Sequence, residues 1–325
     1  MQMKKVSVIM CTYNGEKYLK EQLDSIVNQT YPIHELLIKD DCSTDGTVNI
    51  IKEYAEKYPC IRLVENKGRE GVNRNFFSAM HLSTGEYIAI SDQDDIWELD
   101  KLESQVNAIG NKLLCTGISK PFSSEGIAIS VDSRKLNYSI FRMIYVGMIP
   151  GHTMLIHRDI LPLLDKTVNI TYDHQIQLVA ASKGSIAYVD KVIVNQRRHT
   201  AAVTLYKPVD RSMKIGNVVS KIQETFKLYR ELKPHMQKRF EVIKRFLQNI
   251  PNPSEELKEV IRMAHLQTKK SFISWLELTI LCIKKHEYLF HVKETNKLRA
   301  ICRAAYYPIF CSYYFRYMSK NFKRQ

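Results

Sequence analysis

The sequence predicts an α/β fold in which a mainly parallel sheet is flanked by helices, with an additional helical region toward the C-terminus. Two observations predict the sheet. Over residues 4 to 100 short apolar runs alternate with stretches of helical periodicity, and strands separated by helices of this length pair in parallel through crossover connections. A third predicts the helical region: from about residue 208 glycine almost disappears, and Lys, Arg and aromatic residues become frequent.

The apolar pattern gives the order of the elements. The predicted strands are "VSVIMC", "ELLIKDD", "CIRLVEN" and "YIAIS", and the helices between them are "GEKYLKEQLDSIVNQ", "TVNIIKEYAEKY" and "GVNRNFFSAMHLS". This βαβαβαβ order leaves the carboxyl ends of the strands along one edge of the sheet, which is where ligands of such sheets bind.

After residue 110 the elements become shorter. We predict a loop for "GISKPFSSEG", a strand for "GHTMLIHR", a helix ending at Gly184 for "YDHQIQLVAASKG", and a strand followed by a loop for "SIAYVDKVIVNQRRH". We place a boundary near Lys207-Pro208. Residues 1–207 then form the α/β domain, and residues 208–325 form the helical region.

Charge and cysteine content narrow the class of protein. The net charge is +14, yet residues 1–206 carry 23 basic and 24 acidic residues, which leaves 25 and 10 for residues 207–325. The seven cysteines form no CxxC pair, which is typical of reduced thiols in the cytoplasm. No export signal is visible, and no apolar run reaches the roughly 18 to 20 residues of a membrane span. The sequence therefore predicts a cytoplasmic protein.

The segments that follow the four predicted strands are all polar: "TYNG", "DDCSTDG", "ENKGREG" and "DQDD". Clustered carboxylates repel one another unless a positive group lies between them. Oxygen ligands without imidazole or thiolate favour Mg²⁺ or Mn²⁺ over zinc. The alternative is that Asp92, Asp94 and Asp95 form a turn and cap a helix in "IWELDKLESQV".

The second acidic segment also has two interpretations. Ser43 through Gly46 suit a turn and a helix cap, whereas the Asp40-Asp41 pair at the strand end can accept hydrogen bonds from a nucleobase or a ribose. Tyr13 is placed to stack on a base or to pack internally. Neither GxGxxG nor GxxxxGK[ST] occurs at the first strand. A nucleotide bound through a metal and carboxylates is what remains.

These residues resemble family 2 inverting glycosyltransferases, which have the nucleotide-diphosphosugar-binding GT-A fold. The matching pieces run from "VSVIMCTYNGEKYLKEQLDSIVNQTY" through "LLIKDDCSTDGT", "GEYIAISDQDDIW" and "GHTMLIHR" to "YDHQIQLVAASKG", within residues 4 to 205. The wording "SDQDDIW" with the later "RRH" is most similar to the rhamnosyltransferase-like branch of surface-polysaccharide biosynthesis.

The resemblance implies roles for individual residues on the donor side. Tyr13 would stack on the nucleobase and Asp41 would bind its imide edge, with Cys11, Thr12 and Asn14 beside the nucleotide. Asn75, or Arg74 next to it, would line the diphosphate side. Asp92 and Asp94 would form the DxD pair, with Asp94 the direct ligand of Mg²⁺ or Mn²⁺ and Asp95 in support.

On the acceptor side the resemblance implies that Asp173 is the base that deprotonates the acceptor hydroxyl. Its alternative is an N-cap for a helix from His174. His199 matches a histidine that approaches the metal or the diphosphate, and its alternative is a surface loop. Two positions depart from the family pattern: Cys11 stands where Thr or Ser is frequent, and His174-Gln175 stands where a Trp is frequent. Both departures affect how the donor and the acceptor would be bound, although neither removes the carboxylates.

The resemblance implies transfer of a sugar from a nucleotide-diphosphate sugar, dTDP-rhamnose or a UDP-sugar, to a lipid-linked saccharide. The final segments place aromatics beside cations in the manner of an interfacial helix, which predicts peripheral membrane contact. Helices packed on the α/β domain with solvated basic faces are the alternative. No nucleic-acid recognition motif is present, so no nucleic-acid partner is expected. A sugar nucleotidyltransferase and a non-catalytic polysaccharide-assembly protein are the competing functions.

Overall fold

An eight-stranded sheet forms the centre of the α/β part in the computed structural model, which describes residues 3–123, 125–126, 137–199, 216–290 and 296–312. The spatial order is β3-β2-β1-β4-β7-β6-β8-β5. The strands of the described residues are β1 Val6–Thr12, β2 Glu35–Asp40, β3 Ile61–Glu65, β4 Tyr87–Ser91, β5 Ile96–Trp97, β6 Leu114–Phe122, β7 Leu155–His157 and β8 Ile186–Arg197.

Helices cover both faces of the sheet and continue to the end of the described chain. They are α1 Glu16–Val27, α2 Thr47–Lys57, α3 Val72–Leu82, α4 Lys101–Ile109, α5 Ile140–Met143, α6 Tyr172–Ser182, α7 Gly216–Gln248, α8 Glu255–Thr268, α9 Phe272–Lys284, α10 His286–Leu289 and α11 Lys297–Phe310. Two 3₁₀ turns, Gly151–Thr153 and Arg158–Leu163, flank β7. The predicted α/β class with a helical C-terminal region is confirmed.

The direction of the strands determines which segments meet. Strands β1 to β4, β6 and β8 all point the same way, because β1 pairs in parallel with β2 and β4, β2 with β3, and β6 with β8. Strand β7 is antiparallel to β4 and β6, and β5 is antiparallel to β8. The edge where the six codirectional strands end is called the C-terminal edge below. The residues that precede β7 also lie there.

Alternating side chains of the central strands enter two separate cores. Val8 and Met10 of β1 pack with Leu19 and Leu23 of α1, whereas Ile9 packs on the opposite face with Phe76 and Phe77 of α3. A strand buried on both faces is apolar at nearly every position, as "VSVIMC" is. This two-sided burial is why the sequence pattern predicted the sheet reliably.

Three local predictions were wrong. The predicted strand "GHTMLIHR" is a strand only at Leu155–His157, because Gly151–Thr153 form a 3₁₀ turn. Residues 117 to 122 of the predicted loop "GISKPFSSEG" continue β6 and pair with β8. The segment "IWELDKLESQV" is not one helix, because Ile96 and Trp97 form β5 and α4 begins only at Lys101, with Asp100 at the capping position. The carboxylates of Asp92, Asp94 and Asp95 therefore do not cap this helix. The predicted boundary near Lys207-Pro208 lies outside the described residues.

The C-terminal helices share a hydrophobic core with the α/β part. Tyr145, which follows α5, packs edge-on against Phe240 of α7 and Tyr307 of α11, with ring centroids 5.4 and 4.9 Å apart. Arg142 donates a 3.0 Å hydrogen bond to the Leu289 carbonyl. These contacts fix α7 and α11 against the side of the sheet that carries α6. Among the described residues, no helix combines the length and apolar character needed to cross a bilayer.

One glycine permits a close approach at the C-terminal edge. A Cβ on Gly151 would lie 2.4 Å from the hydroxyl oxygen of Tyr172, whose buried ring stacks on Phe76 with centroids 4.4 Å apart. We expect Gly151→Ala to lower the free energy of unfolding by about 1–3 kcal/mol, the usual cost of overpacking, as measured by urea denaturation. Gly68→Ala is the matched control, since no atom lies within 4 Å of its Cβ position. Equal unfolding midpoints for the two variants would contradict the close packing.

Candidate active site

The loop after β1 is held in place by the loop after β4. Gln93 Oε1 accepts a 2.9 Å hydrogen bond from the Tyr13 backbone N–H, and Gln93 Nε2 donates to the Tyr13 carbonyl at 3.1 Å. Asn14 has a φ of 47°, and its backbone N–H donates to Ser43 Oγ at 2.9 Å. The first, second and fourth polar segments of the sequence therefore meet at the C-terminal edge.

Asp41 is a carboxylate with three hydrogen-bond donors around it. Its oxygens accept hydrogen bonds from the backbone N–H groups of Glu70 and Gly71, at 2.7 and 3.0 Å, and from Asn66 Nδ2 at 3.1 Å. Burial alone would raise the pKa of Asp41, but these hydrogen bonds and the nearby Arg69 outweigh burial, and the pKa lies below its ordinary value. Asp41 is therefore ionised at neutral pH.

The neighbours of Asp41 show which predicted residues face the open edge. Arg69 lies over the exposed Tyr13 ring, with its guanidinium carbon 3.6 Å from the ring centroid, and its Nε lies 3.7 Å from Asp41 Oδ2. Asn75 is buried, and its Oδ1 accepts hydrogen bonds from Lys39 and Asn66 at 3.1 and 2.7 Å. Asn75 thus supports the loop that holds Asp41 from behind.

The strand ends below these loops are tied together by short hydrogen bonds. Thr12 Oγ1 donates to Asp40 Oδ1 at 2.7 Å, and the Ser43 backbone N–H donates to Asp40 Oδ2 at 2.8 Å. Cys11 is partly buried, and burial raises the pKa of its thiol well above the ordinary value. Asp40, Thr12 and Cys11 therefore form the floor of the site, while Tyr13 and Asp41 lie above them.

Three side chains at the C-terminal edge form a possible metal site: Asp92, Asp95 and His152. One ligand atom from each lies within 4.8 Å of the other two. His152 Nδ1 lies 3.1 Å from Asp92 Oδ2 and 3.5 Å from Asp95 Oδ2, and its Nε2 lies 2.9 Å from Ser119 Oγ. Such a hydrogen bond on the second ring nitrogen is what orients a metal-binding imidazole.

Asp95 is the least satisfied member of this cluster. Its Oδ1 accepts a 2.9 Å hydrogen bond from the Arg197 backbone N–H, but its buried Oδ2 has no hydrogen-bond partner among the described residues. Burial raises the pKa of Asp95 to about 7, since the charges of Asp92 and Asp94 add to the cost of ionisation despite the nearby His152. A buried, unpartnered carboxylate oxygen between two ligand-type side chains fits a divalent cation.

Asp94 and His199 form a separate pair beside this cluster. His199 Nε2 lies 2.8 Å from Asp94 Oδ2, and the His199 ring packs on Tyr18 with centroids 4.9 Å apart. Arg197 donates to the Asp94 carbonyl at 3.0 Å. Strand β8 ends at the same edge as β4, so its last residue, Arg197, and His199 just beyond it both contact the "DQDD" loop.

Asp173 lies in the first turn of α6, which begins at Tyr172, so Asp173 is not the N-cap. Burial raises its pKa above the ordinary value, although hydrogen bonds from Thr171 and the His174 backbone oppose the shift, and the charge of Asp92 adds to it. Asp173 is thus close enough to Asp92 for the two carboxylates to interact electrostatically. A carboxylate with a raised pKa is suited to accept a proton.

The residue after Asp173 is held by the C-terminal helices. Arg239 of α7 donates through Nη2 to His174 Nδ1 at 2.9 Å and through Nη1 to the Asn169 carbonyl at 2.9 Å, while His174 Nε2 donates to the Met143 carbonyl at 2.7 Å. Burial and the Arg239 charge lower the pKa of His174 to about 3, so the imidazole is neutral. The turn that carries Asp173 is therefore braced from α7.

Sequence reasoning missed four residues of this arrangement: Gln93, His152, Arg197 and Arg239. Gln93 and Arg197 lie within segments that the sequence had singled out, "DQDD" and "RRH". His152 stands in "GHTML", where the only available signal was a polar residue before a short strand. Arg239 is 65 positions from His174, and no local pattern marks it.

The chain is similar in sequence to known proteins. Residues 7–161 match the family model described as "Glycosyl transferase family 2". The chain is 41% identical over 104 residues to the putative teichuronic acid biosynthesis glycosyltransferase TuaG of Bacillus subtilis, a match that covers 31% of this chain and 40% of TuaG. It is 36% identical over 132 residues to the dTDP-rhamnosyl transferase RfbG of Shigella flexneri, covering 39% and 44%. Each match thus spans less than half of the relative's length.

Solved structures resemble nearly the whole chain. Staphylococcus aureus TarS 1–349 in complex with UDP gives a TM-score of 0.56 at 16% identity, covering 95% of this chain and 89% of TarS. The mannosyltransferase PcManGT of Pyrobaculum calidifontis, with GDP-Man and Mn²⁺, gives 0.53 at 17% identity, covering 99% and 88%. At these identities the likeness concerns the fold alone, and the predicted GT-A fold is confirmed.

The segment matched by the family model carries β1 to β4, the loops after them and His152, which are the parts that build the C-terminal edge described above. That segment covers just under half of the chain and matches the model of glycosyl transferase family 2, and the relatives that the chain resembles are named as glycosyltransferases.

Proposed function

We propose that this protein is an inverting glycosyltransferase, which moves a sugar from a nucleotide diphosphate to a saccharide hydroxyl in polysaccharide synthesis. One observation carries the proposal: the C-terminal edge holds the cluster of Asp92, Asp95 and His152, and separately a half-buried carboxylate, Asp173, with a raised pKa. Direct displacement needs one stabilised leaving group and one base on the opposite side of the sugar. The Asp92–Asp95–His152 cluster would stabilise the leaving group, and Asp173 would be the base.

We propose that the nucleotide lies against the loops after β1 and β2. The base would stack on the Tyr13 ring face that Arg69 now covers, which frees the guanidinium to approach the diphosphate. Asp41 is ionised, and each carboxylate oxygen has two lone pairs, so it can accept a base imide N–H in addition to its present donors. Cys11, Thr12 and Asn14 would form the floor and edge of this pocket, and Asn75 would support it from behind.

The cofactor proposed is Mg²⁺ or Mn²⁺. Asp92, Asp95 and His152 would hold it, with the Asp94–His199 pair beside them, because Asp95 Oδ2 lacks a partner and Asp94 Oδ2 already has one. The His152 imidazole adds a nitrogen donor to the two carboxylates, which favours Mn²⁺ of the two. When bound, the cation would neutralise the developing charge on the leaving diphosphate. His199 would lie near enough to donate a hydrogen bond to the diphosphate.

Asp173 is proposed as the base. Its carboxylate would accept the proton of the acceptor hydroxyl as that oxygen attacks the sugar carbon, and the nucleotide diphosphate would leave from the other face. Burial favours the protonated product form of Asp173, and the Arg239–His174 contact would keep the turn of α6 in one orientation.

The donors and acceptors of related proteins guide the choice of substrates to test. RfbG is named a dTDP-rhamnosyl transferase, and the solved structures hold UDP or GDP-Man. We propose dTDP-rhamnose or a UDP-sugar as donor and a saccharide, lipid-linked in the cell, as acceptor. The basic helical region, with 25 basic and 10 acidic residues over 207–325, supports a peripheral location at the cytoplasmic membrane face.

A panel of nucleotide sugars tests this function. We expect one donor to raise the melting temperature in the presence of Mn²⁺ and to do so weakly or not at all with EDTA, because donor and cation share the same residues. The chosen donor is then offered to saccharide acceptors, and the anomeric configuration of the product is read by NMR. No stabilisation by any nucleotide sugar with Mn²⁺, or a product of retained configuration, would contradict the proposal.

A further inference from the structure

Helix α9 exposes an apolar face that no described part of the chain covers. Phe272 and Ile273 are 72% and 75% exposed, and Leu276 and Ile280 are each 45% exposed. At 3.6 residues per turn these four positions fall within about 100° of the helix circumference. The opposite side of α9 is buried through Leu278, Leu281 and Cys282. The helix is therefore apolar on both sides, although only one side has a protein partner.

A basic cavity adjoins this face. It has a volume of about 380 Å³ and lies between α7, the α8–α9 connection, α9 and α11. Aromatic side chains form much of its wall, and three lysines lie around it; these residues are Phe226, Tyr229, Trp275, Lys233, Lys269 and Lys270. No carboxylate of the described residues forms an ion pair with any of the three lysines.

The charges around the exposed face of α9 indicate what kind of partner can bind there. The only carboxylate of α9, Glu277, is already paired with Arg262, so the exposed face carries no free negative charge of its own. Lys269 and Lys270 lie three and two positions before Phe272 in the sequence, and Phe272 stacks on Trp275 with centroids 5.6 Å apart. Exposed aliphatic and aromatic side chains next to lysines match the layered chemistry of a membrane interface, where apolar groups enter the acyl boundary and cations meet anionic headgroups.

We propose that the exposed face of α9, with Lys269 and Lys270, docks on a bilayer surface that contains anionic phospholipid. Phe272, Ile273, Leu276 and Ile280 insert at the headgroup boundary, and the lysines contact lipid phosphates. This locates the membrane contact put forward under the proposed function and rests on that part of it, but not on the transfer reaction.

Intrinsic fluorescence offers a direct measurement. The chain has two tryptophans: Trp97 is 2% exposed in the core of the α/β part, whereas Trp275 borders the exposed face. The full chain is mixed with vesicles of phosphatidylcholine alone or with added phosphatidylglycerol, some with brominated acyl chains. We expect sedimentation with the phosphatidylglycerol vesicles, and quenching of tryptophan emission by the brominated lipid.

Two double variants test the surface. Phe272→Ser with Ile273→Ser, and Lys269→Glu with Lys270→Glu, should each weaken vesicle binding by at least about tenfold. The first variant removes two apolar side chains from the headgroup boundary. The second removes two basic residues, each of which contributes roughly a factor of five near an anionic bilayer. The matched controls are Leu82→Ser with Leu99→Ser, two exposed leucines, and Lys57→Glu with Lys183→Glu, which make the same changes on the α/β part. Both controls should bind vesicles as the unmodified chain does.

Three results would overturn the proposal. If the α9 variants bind vesicles like their controls, another part of the chain contacts the membrane. If the unmodified chain ignores all vesicles, both membrane proposals fail while the transferase proposal is untouched. If the unmodified chain ignores vesicles but forms a dimer that Phe272→Ser with Ile273→Ser dissociates, as judged by light scattering, the face binds a second copy of the chain.

Discussion

Asp173→Asn is expected to lower the turnover number by about 10²- to 10⁴-fold, the usual contribution of a positioned base. The amide keeps the size of the side chain but cannot accept the acceptor proton. Donor affinity, measured by calorimetry with Mn²⁺, should stay within about twofold, because Asp173 is not among the residues proposed to bind the nucleotide or the cation. Asp190→Asn, an exposed carboxylate on β8, is the matched control and should retain full turnover.

The pH dependence of turnover provides a second readout for the same residue. Burial raises the pKa of Asp173, so the base is protonated and inactive up to a higher pH than an ordinary carboxyl group would be. Turnover in the unmodified protein should therefore rise with pH through that raised pKa and then level off. The Asp173→Asn variant should lack this rise. Normal turnover by the variant would show that another group is the base.

The second large effect is expected at Asp95. Asp95→Asn preserves the acceptor for the Arg197 backbone N–H but replaces the unpartnered Oδ2 with an amide nitrogen that cannot bind a cation. We expect the Mn²⁺ affinity to fall by at least about a hundredfold, since changes merely next to metal ligands cost 10- to 100-fold. Calorimetry of Mn²⁺ binding in the absence of donor measures this directly.

A matched control for Asp95 is available in the same fold. Asp159 also lies beside a histidine, with 3.4 Å between His157 Nδ1 and Asp159 Oδ2, but its side chain is 79% exposed and it follows β7, at the opposite edge of the sheet from the cluster. Asp159→Asn should leave Mn²⁺ affinity unchanged. Because the pKa of Asp95 is about 7, Mn²⁺ binding by the unmodified protein should also weaken as the pH falls below that value. Unchanged affinity in Asp95→Asn would rule out the proposed ligand set.

How much of this site the sequence could predict depends on strand direction. Segments that follow parallel strands all lie at one edge of a sheet. The sequence therefore predicted Tyr13, Asp41 and Asp92 at the same edge. Strand β7 runs the opposite way, so the residues before it reach that edge. His152 was missed for this reason. Whether a strand enters a mainly parallel sheet in the antiparallel direction depends on tertiary contacts, and the local periodicity of the sequence does not indicate it.

Long-range contacts set the second limit. The sequence predicted that Asp94 and His199 both belong to the metal region, and the structure places their side chains 2.8 Å apart. It did not predict that this contact occupies Asp94 and leaves Asp95 as the unsatisfied carboxylate. That distinction depends on a few ångströms of loop geometry set by Gln93 and Arg197. Residue types alone do not contain it.

The hydrogen bond from Arg239 to His174 limits which parts of such enzymes can be exchanged between relatives. A guanidinium from a helix far along the chain steadies the turn next to the proposed reacting carboxylate, so the two regions are not interchangeable modules. Chimeras that exchange the trailing helices between relatives would need to carry a matching arginine and histidine together. Swapping either partner alone would leave a buried ring nitrogen or a buried cation without its counterpart.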